Sequence, residues 1–545
     1  VKNQLKNLHL SLTAILFLVL TVLAGCAPDK NNSSDDTPKE NVSQEITTNL
    51  GGEPYTLDPA FASDTTSFWV IQHLYEGLLE YDKDGQLVEG AASKIDVSED
   101  GKIYTFTIKE GLKWSNGDAI TAKDFEYAWK RVLNPETAAY SPTSFYYIKG
   151  AENYNTGNGA VEEVGITAPD DLTLVVELSS PTAFFKQLLA RAEFLPVNQS
   201  VVEAKENWAG EADSIVTNGA YILDSWKHDQ QIVLVKNENY WNNEAISMEK
   251  INFEMVADAT TYYQMFKTGE LDLINSLPLD SIEQEKNNNE YVSSPSFSVY
   301  TFSFNVEEKP FTNKKIRQAL SYAIDREAIV NNITKAGEAS AFGYVPFGFI
   351  TPNNEDFRNQ SEKYYEFNPE RAKQLLEEGL KEEGWSELPT VTFKYNTADN
   401  HKKIAEAVQE MIKQNLGVNV NLENQEWKTY IDTFKQKNFQ VARMGWGGEF
   451  LDPLGVLSHY TTTNSSNFTN WSNAEYDQLI EASNPEQDPA KRIELLQKAE
   501  AILMEELPII PILFSAQNAL VSEKIEGIRF DVLRNPDLRF AKRVE

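Results

Sequence analysis

The chain has 545 residues, with 49 Lys and Arg against 82 Asp and Glu, a formal charge of −33. That length holds two or three domains with sizeable cores, and such acidity excludes the basic footprint that nucleic acid needs. Aromatic residues make up 11% of the chain, including 10 Trp and 23 Tyr, enough to line a large amphipathic pocket as well as to fill cores.

At the start, Lys2 and Lys6 precede a largely apolar run from Leu10 to Leu23, and small residues then lead to Cys26, the single cysteine. This is the layout of a secretory signal, too short and wrongly flanked for a transmembrane anchor. Ala27 to Asn41 holds no large apolar residue and reads as a flexible tether. Lys102 to Lys109 alternates as a strand, and Ser115-Asn116-Gly117-Asp118 marks a turn. Thr121 with Asp124 three residues on predicts a capped helix through Arg131. Further along, Thr390 to Asn396 predicts a strand and His401 to Leu416 a helix. Gly417 stops that helix and Val418 to Leu422 returns as a strand, making a βαβ unit. Asp488-Pro489 opens a helix that Pro508 ends, and Ile509 to Phe514 reads as a buried strand. The fold class is therefore α/β, and no fixed-period repeat suggests a solenoid.

Catalytic constellations are missing. His73, His228, His401 and His459 are scattered, with no paired spacing for zinc. There is no nucleophile elbow and no phosphate-binding glycine loop, and carboxylate pairs are too common here to single one out. Binding is expected rather than catalysis, with no metal and no cofactor.

Several segments, in order, resemble one family. They are Glu53-Pro54-Tyr55-Thr56-Leu57-Asp58-Pro59, His73-Leu74-Tyr75-Glu76-Gly77-Leu78-Leu79, Tyr104 through Gly117, Asn218-Gly219-Ala220-Tyr221, Asn239-Tyr240-Trp241 and Ile316 through Leu320 with Asp325-Arg326. Glu426-Trp427-Lys428 and Arg443 through Pro453 complete the series. Together they are similar to the oligopeptide-binding lipoproteins of bacterial ABC importers, the family 5 extracellular solute-binding proteins. Leu23-Ala24-Gly25-Cys26 likewise resembles a lipoprotein processing site, at which Cys26 would be acylated and would tether the protein to the outer face of the cell membrane, in a Gram-positive host. Residues 1–26 would leave as the signal, 27–45 would be the tether, and no thiol would remain for a disulfide.

The resemblance implies a two-lobed periplasmic-binding-protein-like fold of three domains, discontinuous in sequence. Residues 46–74, 199–300 and 516–545 would form the core of one lobe, 75–198 an extra domain of the peptide-binding class, and 301–515 the other lobe. It implies a monomeric receptor that passes oligopeptides to permease subunits. A signalling peptide, a nickel chelate or haem are alternative cargoes, and an extracytoplasmic enzyme or adhesin on the same scaffold is a further alternative. Site residues carry over by position. Glu449 stands where the family has an Asp that holds the peptide amine. Trp446 and Trp427 match chamber tryptophans, and Arg443 matches an Arg that meets a ligand carboxylate. Phe434 occupies the place of a second cationic anchor, so one cation is expected to be missing.

Overall fold

A computed structural model of the chain describes residues 43–545, apart from Ser63, Asp84, Gly85, Ala183, Glu449, Ser465, Gln487 and the stretch 531–534. The side chains of Asp399, Trp427 and Lys428 are also outside the description. The signal, the tether and Cys26 therefore lie outside the described residues, as does Glu449.

The expected local elements form for the expected reasons. In the strand Ile103–Ile108, Tyr104, Phe106 and Ile108 are buried and the threonines between them are half-buried, the alternation of a strand with one covered face. It is central to a four-stranded antiparallel sheet ordered Ala92–Val97, Ile103–Ile108, Thr173–Glu177, Ile166–Thr167. The helix Ala122–Leu133 packs beside it and buries Phe125, Ala128, Trp129, Val132 and Leu133, one stripe at helical spacing. Its first turn is fixed by the Thr121 N–H donating to Asp124 Oδ2 at 2.7 Å.

A second, eleven-stranded sheet carries most of the rest. Its order is Val420–Gln425, Val391–Asn396, Val441–Gly447, Tyr291–Phe304, Ile509–Val521, Leu273–Ile274, Glu45–Asn49, Lys250–Glu254, Gln231–Lys236, Tyr221–Lys227, with Ala339–Ser340 added against Ile509–Val521. The βαβ unit is present. Val391–Asn396 pairs in parallel with Val420–Gln425, and the helix Asp399–Leu416 crosses between them and ends at Gly417 with φ +68°. The helix Pro489–Glu506 starts from Asp488, whose carboxylate accepts from the Ala490 N–H at 3.0 Å.

Two strands organise the molecule. Tyr291–Phe304 and Ile509–Val521 run antiparallel and contribute to two cores. Val299, Ile509 and Phe514 join the larger hydrophobic cluster, with Trp69, Phe106 and Trp129. Phe302, Ile510 and Ile512 join a second cluster, with Phe393, Ile404 and Val441. The strand expected to end at Phe514 thus continues to Val521. Its partner escaped sequence reading because Ser293, Ser294 and Pro295 interrupt the apolar pattern at its start.

Candidate functional site

A cavity of about 580 Å³ lies where these parts meet. One wall is the helix Thr65–Leu74 and the turn after it, giving Phe68, Ile71, Tyr75, Glu76 and Glu80. The C-terminal tail backs that wall through Arg539. The facing wall is made by three adjacent strands of the large sheet, Val441–Gly447, Tyr291–Phe304 and Ile509–Val521, and by the loop after the first of them. A third side is the segment from Gln187 to Leu195.

The facing wall opens because the sheet is interrupted there. Pro295 pairs with Ala516 and Val299 with Phe514, so Ser296, Phe297 and Ser298 together oppose Ser515, and all four line the cavity. Alternation along Val441–Gly447 then decides which side chains reach it. Arg443, Gly445 and Gly447 face the cavity, followed by Gly448 and Phe450. Two of these glycines keep that wall thin. A Cβ on Gly448 would lie 2.2 Å from the Phe297 ring, and one on Gly445 would lie 3.2 Å from the Arg443 guanidinium.

Arg443 is half-buried. Its guanidinium lies 4.5 Å from the Tyr300 ring centre and donates to Asn396 Oδ1 at 3.1 Å. It forms no ion pair among the described residues. Behind Tyr300 sits His401, with ring centres 5.6 Å apart. Burial, reinforced by the Arg443 charge, pulls the His401 imidazole down to about 3, so it is neutral.

The opposite wall is rich in charge, but much of it is paired. Arg539 bonds both Glu80 and Asp537, the latter at 2.8 Å, and Arg529 adds a contact to Asp537 at 3.0 Å. Burial, the largest single influence, pushes the Asp537 carboxyl up, but the charge and hydrogen bonds of Arg539 together with Arg529 hold the group well below the usual range. Glu76 is 4% exposed and accepts from Trp241 Nε1 at 2.7 Å and from the Tyr240 hydroxyl. Burial, then the Glu80 charge, pushes it up to about 8. On the third side Arg191 pairs with Glu193 at 2.6 Å. Tyr75 Oη and Gln187 Oε1, on two cavity-lining residues, are buried without a hydrogen-bond partner among the described residues. Buried polar atoms are nearly always satisfied, so such atoms beside a cavity mark places for a ligand's polar groups.

The expected site residues divide. Arg443 lines the cavity. Trp446 does not, because it is on the other face of its strand, where its ring sits 4.8 Å from that of His459 and stacks on Phe468 at 6.3 Å. Phe434 is 2% exposed and sealed in an aromatic cluster, stacked on Phe439 at 5.1 Å. An apolar ring at that position packs inward, where a cation would have to reach out. The Trp427 side chain and Glu449 lie outside the described residues. Sequence reading missed Glu76, Glu80, Arg539, Tyr300 and Phe297 as wall residues. Glu76 alone left a signal, an acid inside the apolar run Leu74–Leu79.

Among the described residues no three His, Cys, Asp or Glu side chains gather to hold a metal ion, and no helix is long and apolar enough to cross a membrane.

The family model for bacterial extracellular solute-binding proteins, family 5 (middle), matches residues 86–468. The oligopeptide-binding protein OppA of Bacillus subtilis is 40% identical, over 95% of this chain and 96% of its own. The crystal structure of Haemophilus influenzae OppA in complex with RPPGFSPFR is 30% identical and superposes with a TM-score of 0.84, over 93% of this chain and 100% of that one. The unliganded open form of the murein tripeptide-binding protein MppA is 32% identical, over 92% of this chain and 98% of its own, with a TM-score of 0.70. The neighbours share the two-lobed fold that the resemblance implied, and the chain belongs to family 5 of the bacterial extracellular solute-binding proteins.

Proposed function

We propose that this protein is a receptor that captures oligopeptides between two lobes and delivers them to the permease of an ABC importer. One observation carries the reading: a cavity of about 580 Å³ between the walls holds an arginine with no counter-ion among the described residues. The names of the relatives support it, as does the better superposition on a peptide complex than on an open form. That difference favours a closed arrangement of the lobes, bounded as the resemblance implies: 46–74 with 199–300 and 516–545, then 75–198, then 301–515.

The physics of the task matches the walls. A peptide of arbitrary sequence offers a constant main chain and two charged ends. Main chain is met by strand-like pairing that ignores side chains, and the interrupted strand at Ser296–Ser298 and the glycines at 445, 447 and 448 leave backbone within reach. The free carboxylate goes to Arg443. The amine goes to Glu449, one methylene longer than the family Asp. The receptor is a monomer without enzymatic activity, anchored through acylated Cys26, with residues 27–45 as tether.

Native mass spectrometry of protein extracted from membranes, with and without a mixture of three- to nine-residue peptides, tests both ends of this proposal. A series of peptide adducts and acyl mass on Cys26 are expected. A metal or tetrapyrrole mass in place of peptides would overturn the cargo, and an unmodified Cys26 would overturn the anchor.

A further inference from the structure

Phe184 lies in the segment that leads to the Gln187–Leu195 side of the cavity, and Phe450 in the loop that follows the arginine-bearing strand. Their rings stack face to face, with centres 4.4 Å apart and planes 10° from parallel. Both are buried, Phe184 to 1% and Phe450 to 3% exposure. This contact joins two sides of the cavity through side chains alone.

Each ring is held from its own side. Tyr147 packs edge-on against Phe184 at 5.1 Å. The Phe450 loop is tied at both ends. Before it, the Gly448 N–H donates to the Phe297 carbonyl at 2.9 Å. After it, the Asp452 N–H donates to the Phe450 carbonyl at 2.8 Å, and the Asp452 carboxylate takes a bidentate pair from Arg492 at 2.7 and 2.9 Å. Arg492 in turn sits 5.7 Å from the centre of the Phe184 ring. These bonds flank Phe450, whose ring meets Phe184 face to face. A single stacked pair is a modest attraction, strong enough to bias a jaw and weak enough to let it open.

We propose that Phe184 is a positioning residue for ligand capture: its stack on Phe450 forms when the cavity closes, holds Phe450 in place and slows ligand release. The proposal rests on the peptide-receptor reading, and its test keeps the two apart. Stopped-flow kinetics would be recorded on the mature protein with tri-, tetra- and penta-alanine and with RPPGFSPFR. Phe184→Leu should speed dissociation about ten-fold, about 1.4 kcal/mol, with association changed by less than about two-fold, since interface changes act mainly on release. Phe184→Tyr keeps the ring face and should stay within about two-fold of wild type. Adding Phe450→Leu to Phe184→Leu should cost little more than either alone, because both remove one contact. Unchanged dissociation in Phe184→Leu, equal losses in the Tyr and Leu variants, or additive losses in the pair would overturn it. A wild type that takes up none of these peptides sinks the peptide reading instead. The contact is then read without ligand, by small-angle scattering. Phe184→Leu should have the larger radius of gyration, and equal radii would overturn the proposal.

Discussion

The two main walls of the cavity handle charge in opposite ways. On the helix wall, Glu80, Arg539, Asp537 and Arg529 satisfy one another, and Glu76 is held by two neutral donors. On the strand wall, Arg443 faces the cavity over an aromatic ring, backed by a neutral histidine and edged by glycines. The first wall pairs its charges within the fold, whereas Arg443 on the second has no counter-ion among the described residues. Burial alone does not distinguish them. What does is whether a charge already has a partner, since removing one member of a buried pair leaves the other uncompensated, while removing an unpaired, half-buried charge leaves nothing behind.

The largest effect should therefore come from breaking the helix wall. Arg539→Met leaves Asp537 and Glu80 short of their main cation and should destabilise the protein by about 3–5 kcal/mol. Arg443→Met should change stability by less than about 1 kcal/mol. Urea unfolding of the two variants side by side measures this. Comparable losses would erase the distinction between the walls.

Acid probes both walls through their histidines. His73, behind the helix wall, is fully satisfied as a neutral ring, with Nδ1 2.7 Å from the Trp69 carbonyl and Nε2 accepting from the Leu538 N–H at 3.1 Å. Burial lowers it from 6.5 to about 4, the Asp537 charge opposing only in part. In the window between those values the unfolded chain binds the proton that the folded chain refuses, so stability falls as pH falls. By pH 4 the loss from this group is on the order of 3 kcal/mol. His401 loses stability over a window of the same sign that reaches lower, to about 3. Unfolding midpoints followed from about pH 7 to 4 should flatten in His73→Asn and in His401→Phe. Slopes identical to wild type in both would show that neither ring is held neutral.

Local elements were legible in the sequence because their causes are local. Thr121 with Asp124, Asp488-Pro489 and Gly417 each place a helix end through groups within four residues. The eleven-stranded order was not legible, since Tyr291–Phe304 pairs with segments about 150 and 220 residues away and its start is masked by serines and Pro295. At the site, motif likeness pointed to Arg443, which lines the cavity. It pointed also to Trp446, which faces away from the cavity, because likeness fixes a position in the chain while the period of two fixes the face. Arg539 was invisible for another reason. Its partner Glu80 is brought to it by the C-terminal tail's return to the helix wall, which no spacing announces.

The smallest effect is the most specific. If Arg443 awaits a ligand carboxylate, Arg443→Met should weaken binding of free-acid peptides by about 1–3 kcal/mol, the range of a hydrogen bond to a charged group. Solvent screening at a half-buried residue favours the lower end. Arg443→Lys keeps the charge without the planar fork and should recover only part of the loss. The decisive comparison uses the ligand. Amidating the peptide's C-terminus removes the same interaction from the other side, so it should weaken binding to wild type and barely affect Arg443→Met. Calorimetric titration of one peptide in both forms against both proteins completes the cycle. If amidation costs both proteins alike, the carboxylate lies elsewhere. Arg443 would then join Arg539 as a charge that serves the fold, its stack on Tyr300 and its bond to Asn396 being the whole of its role.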